Sequence, residues 1–308
     1  MTRVLSFHAT YRCANSGACC TADWPIPVEA DRLSRLQAAL ASSNLRARAR
    51  VAEPLRFLTG APKETPAFLA TRDHACAFYD GAAGQPGCRI HRALGHEALP
   101  LACRQFPRVV VHDPRGVSVT LSHYCPTAAA MLGRDAPVRI VTDAPSFPND
   151  GEYVGLDATG TLPPLLAEGV LMDWDSWWEC ERLGVELLGN FEGAPADALA
   201  RLAGAVSEMQ TWTPDAPDPL IDHVQRSFAG AASAPARPFA SPREASASPR
   251  ALNRFLAAHA FANWAVHGRA GISGWLRSIE TAHALVAAGA SVRDADLRLR
   301  HLADASTD

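Results

Sequence analysis

Residues 12–20, RCANSGACC, and residues 88–108, CRIHRALGHEALPLACRQFPR, carry five of the chain's eight cysteines. Cys76 lies between these stretches and Cys125 follows them, so seven of the eight fall within 113 residues of a 308-residue chain. A cysteine used only as a small buried apolar residue has no reason to crowd one half of a chain. Thiols drawn from segments this far apart in sequence predict a shared metal ligand set or a disulfide framework.

The length and composition favour metal or redox chemistry over disulfides. A chain of 308 residues can bury an ordinary core and needs no disulfides to fold. The first residues, MTRVLSFHATYRC, lack the apolar run of a signal peptide, and no later stretch approaches the roughly 18 apolar residues of a membrane span. We therefore expect a cytoplasmic protein with reduced thiols, in which clustered cysteines indicate a metal or redox site. The formal net charge of −3, with Lys and Arg spread along the chain, predicts neither a nucleic-acid nor a membrane partner.

The local sequence indicates how the thiols meet. The triplet Asn15-Ser16-Gly17 favours a turn that folds the first cysteine towards the Cys-Cys pair. Cys76 and Cys88 flank a loop of Gly and Pro residues, which would aim both thiols at one point. His91 follows Cys88 by three residues, on the same face of a short predicted helix, either as a ligand or as a partner of a thiolate. The candidate metal ligands are Cys13, Cys19, Cys20, Cys76, Cys88, His91, Cys103 and Cys125.

The ligand set restricts the metal only in part. A 4Fe-4S cluster needs four thiolates, and a structural zinc needs four nitrogen or sulfur ligands, so both fit. The paired Cys-x-x-Cys hooks of zinc ribbons are missing from the sequence, and we favour an iron–sulfur cluster with zinc as the alternative. Cys180, far from the others in sequence, is expected to be a buried structural residue.

The remaining patterns predict a mainly α protein with a small β-hairpin, an α+β class. Residues 107–122, PRVVVHDPRGVSVTLS, are typical of a hairpin that turns at Asp113-Pro114-Arg115-Gly116. We expect a cysteine-cluster metal-binding module in residues 1–135, with an irregular ligand-bearing start. It is followed by short strands and then helices in 136–228, an Ala/Ser/Pro-rich linker or loop in 229–250, and C-terminal helices in 251–308 that pack on the preceding ones.

The ordered set formed by Cys13, Ser16, Cys19-Cys20, Cys76, CRIH at 88–91, GHEALPLACRQFPR at 95–108 and Cys125 resembles the CxxCxxCC, or YkgJ-like, cysteine-cluster family, which is described as zinc- or iron-chelating. It also resembles flagellin lysine N-methylase of the same broader group. The resemblance spans roughly residues 5–130 and implies metal binding by the cysteines. In the methylase branch it implies an iron–sulfur cluster, S-adenosylmethionine as methyl donor and a protein substrate such as flagellin. Ser16 stands where the family's motif has its middle cysteine, which leaves this chain one ligand short.

Three hypotheses follow: a metal or iron–sulfur protein whose site serves redox chemistry or small-molecule activation, a protein lysine methyltransferase, and a structural zinc module of an interaction scaffold. A structural site is closed by four protein ligands, whereas an enzyme keeps an open or exchangeable position. Binding of S-adenosylmethionine would distinguish the methyltransferase from the other two.

Overall fold

A computed structural model describes residues 1–42, 44–57, 59–60, 62–82, 86–233 and 247–304, without the side chains of 300–304. Within these residues the chain is mainly helical with several small sheets, which confirms the α+β class. The α-helices are α1 Ala30–Ser42, α2 Arg89–Leu94, α3 Leu101–Gln105, α4 Pro126–Met131, α5 Trp174–Gly189, α6 Pro195–Met209, α7 Leu220–Ser233, α8 Pro249–Ala260, α9 Gly271–Ala287 and α10 Val292–Asp304. The strands are β1 Thr2–Leu5, β2 Pro27–Val28, β3 Leu55–Phe57, β4 Ala67–Leu69, β5 Thr71–Arg72, β6 Ala75–Cys76, β7 Tyr79–Asp80, β8 Gly87–Cys88, β9 Arg108–Asp113, β10 Gly116–Leu121, β11 Ile140–Thr142, β12 Leu156–Asp157, β13 Leu165–Ala167 and β14 Val170–Leu171.

The chain forms two compact units. The cysteine unit comprises residues 12–107 and 124–127, and the helical unit comprises residues 1–11, 108–123 and 128–308. The hairpin segment, expected within the module 1–135, therefore groups with the helical unit, because its strands pair there. The division of the chain into the segments 1–135, 136–228, 229–250 and 251–308 stays a prediction where domain boundaries are concerned.

The predicted hairpin is the centre of a five-stranded mixed sheet in the helical unit. β9 and β10 pair antiparallel from Arg108 opposite Leu121 to Asp113 opposite Gly116, which confirms the turn signal. The sheet order is β11-β1-β10-β9-β12, with β1 parallel to β10 and β12 parallel to β9. The expectation of an irregular start to the chain is wrong for Thr2–Leu5, which is a fully buried strand. The strand that pairs with it, β10, lies 115 residues further along the chain, so the sequence of these four residues could not predict the pairing.

The core of the helical unit is built around two tryptophans. Trp177 on α5 and Trp275 on α9 are fully buried and meet edge to face, with ring centroids 5.6 Å apart and planes at 89°. Gly184 allows this packing, because a Cβ at that position would lie 2.6 Å from Cη2 of Trp275. Cys180 is also fully buried here, with its sulfur 3.9 Å from that of Met209.

Part of the expected linker 229–250 is helical. Residues 229–233 form the last turns of α7, and Pro249 begins α8 behind the N-cap Ser248. Alanine has the highest helix propensity, so the Ala-rich composition of 229–233 is compatible with a helix as well as with a loop. Residues 234–246 lie outside the described residues. None of the described helices has both the length and the apolar character needed to cross a bilayer.

Two histidines are fully buried where the parallel strands β1 and β10 end. His8 follows β1 and His123 follows β10, and their Nε2 atoms are 3.2 Å apart. Buried Asp296 on α10 lies nearby, 3.2 Å from Nε2 of His259 on α8. The pKa of His8 lies well below its ordinary value, chiefly because the side chain is buried. The charges of His123 and Arg134 lower this pKa further, while the carboxylate of Asp296 opposes the shift.

We predict that replacing Gly184 by Ala destabilises the fold. The new methyl group must displace Trp275, and overpacking costs about 1–3 kcal/mol, more than the roughly 0.5–1 kcal/mol that Ala gains over Gly in a helix. Gly204 on α6 is the matched control, because a Cβ there meets no atom within 4 Å. In urea unfolding, Gly184→Ala should lower the free energy of unfolding and Gly204→Ala should raise it. Equal effects of the two changes would contradict the packing argument.

We predict that the folded state loses stability as pH falls through about 6.5, the pKa of histidine in an unfolded chain. Below that pH the unfolded chain binds a proton at His8 that the folded chain does not, because the folded pKa is lowered. Between pH 7.5 and 5.5, the free energy of unfolding should drop by about 1 kcal/mol more for the wild type than for His8→Gln. An unchanged drop in the variant would show that buried His8 does not contribute.

Candidate metal centre

The Cys-Cys pair lies in a 3₁₀ turn, Ala18–Cys20, that a glycine introduces. Gly17 has φ of +73°, in the left-handed region that favours glycine, and its carbonyl accepts a hydrogen bond from the Cys20 N–H at 2.8 Å. This loop lies directly on the β7–β8 hairpin: a Cβ at Gly17 would be 2.7 Å from Cε2 of Tyr79 and 3.2 Å from Cα of Gly87. The close approach brings the loop next to the strand that ends in Cys88.

Two short hairpins supply the next two thiols. In the first, Cys76 on β6 pairs with Thr71 on β5 across a turn in which Asp73 and His74 have φ of +51° and +57°. Such a pair of positive φ values is typical of the tight type I′ hairpin turn. In the second, Cys88 on β8 pairs with Tyr79 on β7.

The fifth thiol comes from α3, the short helix that holds Cys103. The carboxylate of Glu29 accepts the Leu101 N–H, with both oxygens 3.1 Å from the nitrogen, and so satisfies one of the free N–H groups at the helix start. Glu29 also lies close enough to Cys103 to raise the pKa of its thiol. One carboxylate therefore fixes the helix and adds negative charge near the thiol that the helix carries.

Cys20 lies at the centre of four thiols. Its thiol hydrogen-bonds with those of Cys19, Cys76 and Cys88, and these bonds, followed by burial, raise the pKa of Cys20. The pKa of Cys19 is lowered, chiefly by its hydrogen bond with Cys20. Cys20, Cys76 and Cys88 belong to the buried apolar core of this unit, and Cys19 and Cys103 pack against it.

Cys88 is the thiol best prepared to ionise. Its pKa is lowered to about 7, first by the hydrogen bond with Cys20 and then by the N–H groups of His91 and Ile90 and the charge of Arg92. Cys88 is the N-cap residue of α2, and although its side chain makes no strict capping hydrogen bond, the free N–H groups of the first turn lie near its sulfur. A thiolate forms here near neutral pH, and the thiolate is the form that binds metal.

Cys103 responds to the same thiols through their charge. Cys103 is half-buried as a residue, but its sulfur is surrounded by protein. This burial raises the pKa of the thiol well above the ordinary value, and the charges of Cys19, Cys76 and Cys88 raise it further. The five thiols of Cys19, Cys20, Cys76, Cys88 and Cys103 thus influence one another electrostatically. Several thiolates this close together repel, and a bound cation would offset that repulsion.

The other predicted ligands have different surroundings. Cys13 is exposed, and its sulfur accepts the Asn15 N–H at 3.3 Å. The imidazole of His91 lies against that of His96, with ring centroids 5.9 Å apart, and it is the backbone N–H of His91 that acts on Cys88. Cys125 is buried in the same unit.

The donor chemistry fits zinc or an iron–sulfur centre, because thiolates are the soft ligands that both prefer. The cysteines are free thiols, however, and Cys20 lies among the others. Among the described residues no group of three or more His, Cys, Asp or Glu side chains is arranged so that it could hold a metal ion. Binding would require the thiols to turn from Cys20 towards a shared centre.

Contacts outside the thiols also join the cysteine-bearing segments, and the sequence analysis missed them. The phenol of Tyr124, beside Cys125, is 2.7 Å from the carbonyl oxygen of Thr21, which follows the Cys-Cys pair. Nδ1 of His74, on the hairpin of Cys76, is 2.5 Å from a carboxylate oxygen of Asp23. Such contacts carry no periodicity or motif, and only their position next to a cysteine could have suggested them.

A group of thiols gathered from separate short segments defines a cysteine-cluster domain. Comparison with known families identifies which one: residues 12–126 match the family described as "CxxCxxCC: Putative zinc- or iron-chelating domain". The match begins where the cysteine unit begins and ends one residue before it ends. This segment therefore matches the zinc- or iron-chelating family that the resemblance indicated. No curated protein matched the chain, and no solved structure did.

We predict that Gly17→Ala opens the thiol group. An alanine at this position is strained at positive φ, and its methyl group must also displace Tyr79 and the Gly87 backbone. We therefore expect the loop to move away from β8. Gly60→Ala is the control, because Gly60 has φ of +80° and a Cβ there meets no atom within 4 Å. The reaction of metal-free protein with 5,5′-dithiobis(2-nitrobenzoate) should be several-fold faster for Gly17→Ala than for Gly60→Ala. Equal rates would show that the loop contact does not shield the thiols.

Proposed function

We propose that the cysteine unit binds a metal centre through Cys76, Cys88, Cys103 and one or both of Cys19 and Cys20. The observation that carries the proposal is the meeting of five thiols from separate segments in one partly buried group. Bringing thiols from so many segments into a partly buried group costs folding free energy. Binding of a metal that these thiols share would offset the cost. The family match supports the same chemistry.

We further propose that the centre is an iron–sulfur cluster, with zinc as the alternative. Four thiolates satisfy a 4Fe-4S cluster, and none of the five contributing side chains is a histidine. A cluster spreads its ligands over a larger volume than one ion does, which suits thiols delivered by a turn, two hairpins and a helix. Bound to the thiolates, such a centre would supply electron transfer or a Lewis-acidic metal.

Methyl transfer from S-adenosylmethionine to a protein such as flagellin is a prediction of the resemblance alone. No contact among the described residues bears on it, and the comparisons returned no methylase. The cytoplasmic location likewise stays a prediction.

The test is anaerobic purification of the full chain, followed by a visible spectrum and by iron, sulfide and zinc analysis of one sample. A brown protein with matched iron and sulfide would support the cluster, and a colourless protein with stoichiometric zinc would support the zinc alternative. A protein that holds neither after reconstitution with iron and sulfide or with zinc would overturn the proposal.

We predict that Cys88→Ser abolishes most of the metal content, because a serine hydroxyl stays protonated and is a poor ligand for these metals. Cys180→Ser is the matched control: the same chemical change falls in the core of the helical unit and should leave metal content intact. Cys13→Ser should also retain metal, since Cys13 is exposed. Full metal in Cys88→Ser, or loss in Cys13→Ser, would show that the ligand set is wrong.

A further inference from the structure

The phenol of Tyr124 makes two hydrogen bonds to one residue. Its oxygen lies 2.7 Å from the carbonyl oxygen of Thr21 and 3.1 Å from the Thr21 hydroxyl. A carbonyl only accepts, so the phenol gives its single proton to that oxygen. The Thr21 hydroxyl also lies 3.3 Å from the Ala18 carbonyl oxygen, and it shares its one proton between that oxygen and the phenol oxygen. Tyr124 is 9% exposed, and the bonds are therefore partly shielded from water.

Thr21 controls the turn that carries two of the thiols. It is the C-cap of the 3₁₀ turn Ala18–Cys20, and its N–H donates to the Ala18 carbonyl at 3.1 Å. A residue held at this point limits the rotation of the turn and so the directions in which Cys19 and Cys20 point. Thr21 itself touches no thiol in the contacts described, and its effect is on the backbone that bears them.

Tyr124 belongs to a segment 103 residues further along the chain and directly precedes Cys125. Its hydrogen bonds therefore join the first and last cysteine-bearing segments of the cysteine unit. A phenylalanine would fill the same space without the bonds. The hydroxyl, and not the ring alone, is what ties the two segments together.

We propose that Tyr124 is a positioning residue of the metal centre, whose hydroxyl fixes the Cys19–Cys20 turn against the Cys125 segment before metal binds. The inference rests on the proposed function. A turn fixed in advance loses less conformational freedom when its thiols bind, so the hydroxyl raises metal affinity without contacting the metal. Residues that orient metal ligands from outside typically change affinity by about 10- to 100-fold when they are altered.

The experiment measures Zn²⁺ affinity of the full-length, reduced protein by competition with a chromophoric chelator. Tyr124→Phe should bind Zn²⁺ about tenfold more weakly than the wild type. Tyr153→Phe is the matched control, because the Tyr153 phenol also donates to a backbone carbonyl, that of Pro148 at 3.0 Å, but belongs to the helical unit. Its affinity should stay within about twofold of the wild type.

A second measurement distinguishes an effect on the position of the thiols from an effect on the stability of the whole protein. Co²⁺ replaces Zn²⁺ as a visible probe, and the intensity of its thiolate charge-transfer band reports how many sulfurs bind. Tyr124→Phe should reach the full band only at about tenfold higher Co²⁺, while the thermal midpoint of the metal-free protein falls no more than in Tyr153→Phe. If Tyr124→Phe does not fold, Thr21→Val removes the Thr21 hydroxyl, and with it the contacts to the phenol and to the Ala18 carbonyl, and should weaken Zn²⁺ binding about threefold.

The outcomes distinguish the two proposals. Equal Zn²⁺ affinity in wild type and Tyr124→Phe, or in wild type and Thr21→Val where that variant is used, overturns the role of Tyr124 and leaves the metal centre standing. An equal loss of Zn²⁺ affinity in Tyr153→Phe also overturns the role of Tyr124. The loss of any phenol hydrogen bond would then have the same effect, wherever it lies. A wild type that binds neither Zn²⁺ nor Co²⁺, and holds no iron–sulfur cluster, overturns the proposed function and the role of Tyr124 with it.

Discussion

The backbone contact between Gly17 and Gly87 is the constraint on which the thiol group depends. One glycine introduces the turn with the Cys-Cys pair and the other precedes Cys88, and a Cβ on the first would lie 3.2 Å from Cα of the second. Side chains at these positions would hold the two backbones apart. A group of thiols can meet within hydrogen-bonding distance only if the chains that carry them approach this closely. The glycines, which bind nothing themselves, are therefore as much a part of the site as the cysteines.

The charge of the cysteine unit suits a group of ionised thiols. Residues 12–107 hold twelve Lys and Arg against eight Asp and Glu, although the whole chain has a formal charge of −3. Arg92 acts directly by lowering the pKa of Cys88, and it also pairs with Asp80 at 3.0 Å. Glu29 acts in the opposite direction on Cys103. Thiols in one group thus meet opposite influences, so they are not equally ready to release a proton.

The sequence was informative where one residue type can serve few purposes. Cysteines crowded into one segment have few uses in a large chain, and an Asp-Pro-Arg-Gly turn between valine-rich runs has one obvious form, so the thiol group and the hairpin were both predictable. β1 was not, because its partner lies 115 residues away. His91 shows a different limit. Its type and spacing suggested an imidazole that is either a metal ligand or a partner of a thiolate, and both roles stay predictions. The position of Cys88 at the N-cap of α2 adds a contact of another kind, the backbone N–H of His91 towards the sulfur. Which group of a residue acts depends on where its helix begins, and sequence patterns locate helix ends poorly.

The hairpin 108–123 has a consequence for how the cysteine unit is built. It interrupts the cysteine unit in sequence, yet β10 pairs with β1 and β9 with β12, all within the helical unit. The chain therefore leaves the cysteine unit after Pro107 and returns at Tyr124, where the phenol bonds to Thr21 and the next residue is Cys125. A specific hydrogen bond at the first residue of a short re-entering segment helps to set where that segment lies. The bond to Thr21 supplies such a contact at the point of return, which explains why a tyrosine, and not merely a large apolar residue, is useful immediately before the last cysteine of the cluster.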